Sequence, residues 1–129
     1  MATETIFSDL DLDFGLHPLN FDVNKKVNEH AIARSIRNLV LTNKYERAFH
    51  PELHGGIKEL LFENATPFTA DSLAGKIKYL VDTQEKRVKN VDVDIAVDYD
   101  NSAFIATVYF SAINNTTPTS IKLYLKRVR

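Results

Sequence analysis

The chain has 129 residues, of which 44% are hydrophobic and 26% are charged. This size and balance predict one globular domain whose core needs no disulfide or structural metal to support it. The formal net charge is -1, which gives no global attraction to nucleic acid or to an anionic membrane. We therefore expect neither as a partner.

Cysteine is absent from the sequence. This excludes a thiolate zinc site, a disulfide framework and a cysteine nucleophile, and it fits a reducing compartment. The first residues, MATETIFSDLDLDF, carry acids instead of a basic region and no continuous apolar stretch, so we expect no signal peptide. No apolar run approaches the roughly 20 residues that span a bilayer. The sequence predicts a soluble protein made and kept in the cytoplasm.

Residues 1–24 carry scattered aromatic and aliphatic side chains with Gly15 and Pro18 between them. We interpret this segment as an extended arm and assign it no regular element. The predicted division is therefore an arm at 1–24 and a domain at 25–129. Charge differs between the two ends: the arm is acidic through Asp9, Asp11, Asp13 and Asp22, and the C-terminal segment is basic through Lys122, Lys126, Arg127 and Arg129.

Three helices are predicted in the middle of the chain. Apolar residues at helical spacing predict a helix over 28–42, with Asn24 or Asn28 as its N-cap. A polar connector rich in helix breakers follows, and then a short helix over 57–63. The third helix is expected to begin at a Thr69 cap, after Pro67, and to end near Glu85.

The last third of the sequence changes to a period of two, which is typical of strands. Residues 91–99, VDVDIAVDY, alternate apolar side chains with aspartates, and two more strands are predicted at 104–113 and 121–128. Turns at 100–102 and 114–118 are short enough for an antiparallel meander. The sequence therefore predicts a single α+β domain, with about three helices packed on one face of a three-stranded antiparallel sheet and an extended N-terminal arm.

The stretch FHPELHGGI, residues 49–57, places two histidines four residues apart around Glu52, close to a zinc protease motif. That motif needs helical backbone between the histidines, but a proline follows His50 and two glycines follow His54. The remaining histidines are in other elements. We therefore expect no metal and no cofactor here.

Nucleotide-binding and serine-hydrolase motifs are absent from the sequence. Seventeen acidic residues guarantee some carboxylate pair at the separation used by glycoside hydrolases, so such a pair is weak evidence for that activity. Two stretches, residues 42–47 and 84–87, each hold a glutamate close to an arginine. These are either ordinary surface charges or pairs held at a partner interface, where the guanidinium favours bidentate contacts.

The same stretches carry a family resemblance. The run SIRNLVLTNKYERAFHPELHGGIKELLFENATPFTADSL resembles the baseplate wedge subunit family of contractile-tailed phages, often labelled lysozyme-like. Tyr45 stands where that family usually has glycine, and in TQEKRVKNVDVDI Lys86 replaces the proline of the family's Glu-Pro-Arg motif. The matching positions, within a resemblance that covers roughly residues 7–126, are Leu41-Thr42, Glu46-Arg47, Pro51, Gly55, Leu61-Phe62-Glu63, Glu85 and Arg87.

The resemblance implies a structural role in a virion. Its members are wedge components present in six copies per particle, near the tail tube and beneath the first sheath ring. They are similar to a component of the type VI secretion baseplate. Other wedge proteins, the sheath protein and the tube or hub are the implied partners, with assembly in the host cytoplasm. The alternative, suggested by the family label, is a lysozyme-like glycoside hydrolase that cleaves peptidoglycan.

Six residues are expected at the partner interface. Glu85 and Arg87 follow the third helix, and we expect this pair to reach outward and to matter little for folding. The last strand is expected to offer its edge to a partner strand. The full set is Glu46, Arg47, Glu85, Arg87, Lys122 and Lys126.

Overall fold

The structure is a computed structural model that describes residues 7–11, 13–52, 54–113 and 117–126. Three residues of the predicted turn at 114–118, and the basic end of the chain with Arg127, Val128 and Arg129, lie outside the described residues. The elements are β1 (Ser8–Leu10), β2 (Lys25–Val27), α1 (Asn28–Leu41), α2 (Ile57–Leu60), α3 (Pro67–Gln84), β3 (Val88–Asp98), β4 (Ala103–Ala112) and β5 (Thr119–Lys126).

The predicted α+β architecture is confirmed. β3, β4 and β5 form a three-stranded antiparallel sheet in that order, so β3 and β5 are its two edges. Helices cover one face of the sheet, and their apolar stripes meet the inward side chains of the strands. The largest fully buried side chains are Phe104, Phe110, Ile32, Ile36, Leu73, Ile77, Val40, Val81 and Val108.

β3 begins three residues earlier than predicted and contains an irregularity. The register with β4 shifts between Lys89 and Asp92, and Asn90 has a φ of 55°. Val88 and Val91 would lie on opposite faces of a regular strand because side chains alternate. Both are buried here, since the extra residue of the bulge restores the inward face.

The start of α3 differs from the prediction. Thr66, not Thr69, is the N-cap: its hydroxyl accepts a hydrogen bond from the Thr69 backbone N–H at 3.2 Å, and Pro67 occupies the first helical turn. Proline fits there because its missing N–H would be unpaired anyway. The Thr69 hydroxyl donates to the Asn64 carbonyl at 2.8 Å and is buried beneath the helix start. The second helix is also shorter than predicted, because only 57–60 is helical.

The N-terminal segment contains a strand pair that the sequence analysis did not assign. β1 runs antiparallel to β2 and pairs with it across the predicted boundary at residue 24. The Asn28 backbone N–H donates to the Phe7 carbonyl at 2.8 Å, which places the strand pair directly before α1. No helix within the described ranges is long and apolar enough to cross a membrane.

Candidate partner interface

Glu85 and Arg87 form a bidentate ion pair at the junction between α3 and β3. The Arg87 Nε donates to Glu85 Oε1 at 2.8 Å, and the second terminal nitrogen donates to Oε2 at 3.0 Å. Glu85 also accepts from the Ser35 hydroxyl at 2.6 Å and is only 6% exposed. The expectation that this pair reaches outward is wrong for Glu85. Its carboxylate is buried against α1. The sequence does not reveal this contact, because Ser35 and Glu85 are 50 residues apart.

These contacts hold the pair in its charged form. Burial by itself would raise the pKa of Glu85, but the hydrogen bonds from Arg87 and Ser35 outweigh it and leave that pKa below its ordinary value. The hydrogen bond to Glu85 likewise raises the pKa of Arg87. A buried carboxylate that keeps its charge depends on its partners, so we expect removal of one member to destabilise the fold, contrary to the expectation that the pair matters little for folding.

Two arginines connect the acidic N-terminal segment to the rest of the chain. Arg87 also donates to the Asp9 carboxylate at 3.3 Å, and its guanidinium lies 5.7 Å from the centre of the Phe7 ring. Arg34 on α1 pairs with Asp13 at 3.1 Å and lies 3.6 Å from Asp11. The sequence analysis noted the acidic segment but missed Arg34 as its partner and Ser35 as the partner of Glu85, because helical spacing does not show which segment packs alongside.

Glu46 and Arg47 lie in the connector after α1 and line a cavity of about 460 Å³. Glu46 Oε2 accepts from the Asn43 backbone N–H at 2.6 Å, so this carboxylate closes a local turn. Arg47 is exposed and makes no side-chain ion pair within the described part of the chain. The cavity also brings the connector close to the Arg87 network, because its lining includes Asp9, Ser35 and Arg34 together with Leu10, Asn38, Leu39, Leu41 and Thr42.

Tyr45 keeps the backbone conformation of the residue that the resemblance expects there. Its φ is 62°, in the left-handed region that glycine adopts without strain, and its side chain is 72% exposed. The turn is therefore formed despite the substitution. Its aromatic ring stands in solvent beside the Lys44 ammonium group, 5.3 Å from the ring centre.

Lys122 and Lys126 lie on β5 and point to the uncovered face of the sheet. Both side chains are exposed, while Leu123 and Leu125, which lie between them in the sequence, are buried. Because β5 pairs only with β4, its other edge has unpaired backbone groups along the described strand. The structure thus brings Glu46, Arg47, Glu85 and Arg87 to one side of α1 and leaves the two lysines on a separate surface.

The FHPELHGGI stretch has a structural explanation that does not involve a ligand. A Cβ at Gly55 would collide with the Val40 carbonyl oxygen, and the Gly55 backbone N–H donates to the Thr42 carbonyl at 3.0 Å. Glycine is required where the connector closes against the end of α1. His50 contacts Glu52 at 3.2 Å, and the described residues contain no group of three or more His, Asp or Glu side chains that could hold a metal.

Among the described residues, the carboxyl groups of Glu52, Glu85 and Asp98 have clearly lowered pKa values. The backbone and His50 lower the pKa of Glu52, and the Asn101 side chain lowers the pKa of Asp98. Glu85 is the third. A general acid for glycoside hydrolysis needs a raised pKa. None of these three groups has it.

The helices on one face of a three-stranded antiparallel meander define a class of small α+β proteins, and a baseplate structure contains a chain of this class. A chain in the structure of the anti-feeding prophage baseplate has this fold, with a TM-score of 0.62, 18% identity, and coverage of 95% of this chain and 87% of that one. Residues 26–118 match the family model described as Baseplate wedge protein gp25. The chain belongs to that family.

Two further similarities bear on the family label. The baseplate wedge protein gp25 of Enterobacteria phage T4 is 32% identical over 110 residues, covering 85% of this chain and 83% of that protein. A crystal structure from Geobacter sulfurreducens, described as a candidate tail lysozyme, has a TM-score of 0.69 at 18% identity and covers 76% of this chain and 89% of that chain. At 18% identity, this second similarity shows a shared fold and is not evidence for a shared activity.

Proposed function

We propose that this chain is a structural wedge component of a contractile-tail baseplate in the virion. It joins wedge proteins near the tail tube and serves as the platform from which the sheath begins to polymerise. Six copies are present per particle, the sheath protein and the tube or hub are neighbours, and assembly takes place in the host cytoplasm. The match to the baseplate wedge family over residues 26–118 carries this proposal.

The free edge of β5 suits the sheath contact. Its unpaired backbone N–H and C=O groups can add a partner strand, which gives affinity through main-chain hydrogen bonds. The exposed Lys122 and Lys126 discourage pairing with a second copy of the same basic edge and favour a strand that carries acids.

A double charge reversal tests this edge. Lys122→Glu with Lys126→Glu leaves the buried leucines of β5 unchanged, so the fold is expected to persist. Sheath polymerisation on baseplates that carry this variant should be strongly reduced at physiological salt. The matched control is Lys76→Glu with Lys78→Glu on α3, which makes the same change in net charge at exposed positions. Normal sheath numbers on the Lys122/Lys126 variant would exclude this strand as the docking edge.

The cavity beside α1 suits a contact with another wedge protein. It offers exposed leucines, Leu10 and Leu41, next to the charged Glu46 and Arg47. Arg47 is free to make the bidentate contact that a guanidinium favours at interfaces. Arg47→Ala should lower copurification with the other wedge proteins while leaving the melting temperature unchanged. Lys58→Ala, an exposed cation on α2, is the control.

A structural role predicts that the chain has no muralytic activity. Purified protein added to cell walls is expected to leave their turbidity unchanged, in parallel with a lysozyme standard. The lowered pKa values of Glu52, Glu85 and Asp98 support this expectation, because those carboxylates stay ionised where a general acid must be protonated. Clearing of the suspension that is lost on denaturing the protein would restore the hydrolase alternative.

A further inference from the structure

The face of the sheet opposite the helices has an ordered pattern of charge. β3 presents Asp92 and Asp94 along one side of this face, and both are exposed. β5 presents Lys122 and Lys126 along the other side, also exposed. β4 lies between them and carries uncharged side chains on the same face. We call this surface the open face: Asp92, Asp94, Ala96, Asp98, Ala103, Ile105, Thr107, Tyr109, Ser120, Lys122, Tyr124 and Lys126.

The strand register arranges these side chains in rows. One row is Asp94, Thr107 and Lys122. Another row, two steps further along the strands, is Asp98, Ala103 and Lys126. The row between them is Ala96, Ile105 and Tyr124, where the tyrosine is 55% exposed. In these three rows β3 contributes an acid or a small residue, and β5 contributes a base or a large residue.

The opposite charges in one row do not pair with each other. β3 and β5 lie two strand spacings apart, roughly 10 Å, whereas an ion pair needs contact within about 4 Å. Among the described residues, Asp94, Lys122 and Lys126 make no ion pair. The open face thus presents two separated lines of opposite charge, and an external surface with the reverse order would complement both.

A second copy of this chain has that reverse order. A two-fold axis that runs above β4, nearly parallel to the strands, places β3 of one copy over β5 of the other. Row positions are unchanged by this rotation, so Asp94 meets Lys122, Ala96 meets Tyr124, and Ile105 meets its own copy. A two-fold axis across the strands would instead place the aspartates over the aspartates. The charge order therefore selects the first arrangement, which is also the aligned type of sheet packing.

We propose that two copies associate face to face through their open faces, with the two-fold axis along the strands. The face measures roughly 14 by 23 Å from strand spacing and rise, well below the area of about 800 Å² per partner in a stable complex. The association is therefore weak and salt-dependent, with a dissociation constant of roughly hundreds of micromolar at low salt. It is distinct from strand addition at the β5 edge, because side chains and not backbone groups make the contact.

Charge-swap variants test the arrangement by sedimentation equilibrium, with protein up to about 1 mM at low and high salt. In a dimer of the Asp94→Lys variant, two lysine–lysine contacts replace the two contacts between Asp94 and Lys122. In a dimer of the Lys122→Glu variant, two acid–acid contacts replace them. Each variant should therefore weaken self-association about tenfold or more. An equimolar mixture of the two variants pairs every lysine with an acid and should associate again. The double variant with both substitutions should also recover the parent affinity.

A substitution on the axis separates face-to-face packing from edge pairing. Ile105→Lys places two like charges opposite each other and should abolish self-association, whereas pairing through the strand edges would persist. Ala96→Lys, at an exposed position opposite Tyr124, is the second variant if Ile105→Lys lowers the melting temperature. A parent protein that stays monomeric at about 1 mM in low salt, single reversals that change nothing, or a mixture that fails to associate would each overturn the proposal.

Discussion

Replacement of Arg87 by alanine is expected to destabilise the isolated domain. The guanidinium makes two hydrogen bonds to Glu85 and two longer ones to the Asp9 carboxylate. Without it, the Glu85 carboxylate stays buried with two uncharged donors, the Ser35 hydroxyl and the backbone N–H of residue 87. The same substitution also frees the N-terminal segment at Asp9, so two parts of the fold are weakened at once.

The magnitude follows from the burial of the two partners. Removal of one member of a buried ion pair costs about 3 to 5 kcal/mol, because the remaining charge is left without compensation. The Glu85 side chain is 7% exposed, but Arg87 is 24% exposed, so water partly replaces the lost cation. We therefore expect a loss of about 2 to 3 kcal/mol. For a domain of this size that lowers the melting temperature by roughly 8 °C.

Thermal and urea unfolding of the isolated domain measure this loss directly. Arg47→Ala is the matched control, since it removes an exposed arginine without an ion pair and should change stability by less than about 0.5 kcal/mol. Adding Glu85→Gln to the Arg87→Ala variant should recover part of the loss, because no charge is then left buried.

A melting temperature of the Arg87→Ala variant equal to that of the parent would refute this reasoning. It would mean that water or another cationic group replaces Arg87 at the Glu85 carboxylate, and that the pair serves only at an interface. If the double variant with Glu85→Gln were less stable than Arg87→Ala alone, the buried-charge explanation would also be wrong.

Three further predictions concern the same molecule. The lowered pKa of Glu85 means that its ionised form stabilises the fold, so the stability gap between the parent and Glu85→Gln should be largest near pH 7 and shrink as urea unfolding is measured below about pH 4. Gly55→Ala should lower the free energy of unfolding by more than about 2 kcal/mol, whereas Gly75→Ala in the open side of α3 should raise it by about 0.5 to 1 kcal/mol. Replacing both His50 and His54 with glutamine should leave melting curves insensitive to a chelator, and chelator-dependent melting of the parent alone would point to a bound metal.

Local periodicity in the sequence predicts most of the helices and strands. The alternation of Asp92 and Asp94 with valines predicts a strand with one solvated face, and the spacing of Ile32 and Ile36 predicts the buried stripe of α1; both are observed. The start of α3 was harder, because two threonines flank Pro67 and either can act as a cap. The observed choice of Thr66 lets proline take the first turn, where it fits without losing a hydrogen bond.

The sequence indicates which residues to consider at the candidate site but not what surrounds them, and their role at an interface stays a prediction. The motif positions Glu85 and Arg87 are visible in the sequence, yet their burial depends on Ser35 and Asp9, which belong to distant elements. Packing of α1 and β1 against the junction decides whether the pair faces solvent or protein. A single sequence contains no local signal for that packing, so the outward orientation was a reasonable expectation and the structure corrects it for Glu85.

The bulge at Asn90 also governs which length changes the chain can tolerate. Upstream of it the chain is anchored at Arg87, whose carbonyl accepts from the Ile113 backbone N–H at 2.9 Å. Downstream, the alternation in β3 turns Asp92 and Asp94 outward. Loss of one residue between these two stretches would exchange the inner and outer sets along the rest of the strand and drive carboxylates into the core. Single-residue deletions should therefore be far more damaging between 89 and 92 than in the connector around residue 45, and a deletion scan would separate the phase of the strand from its length.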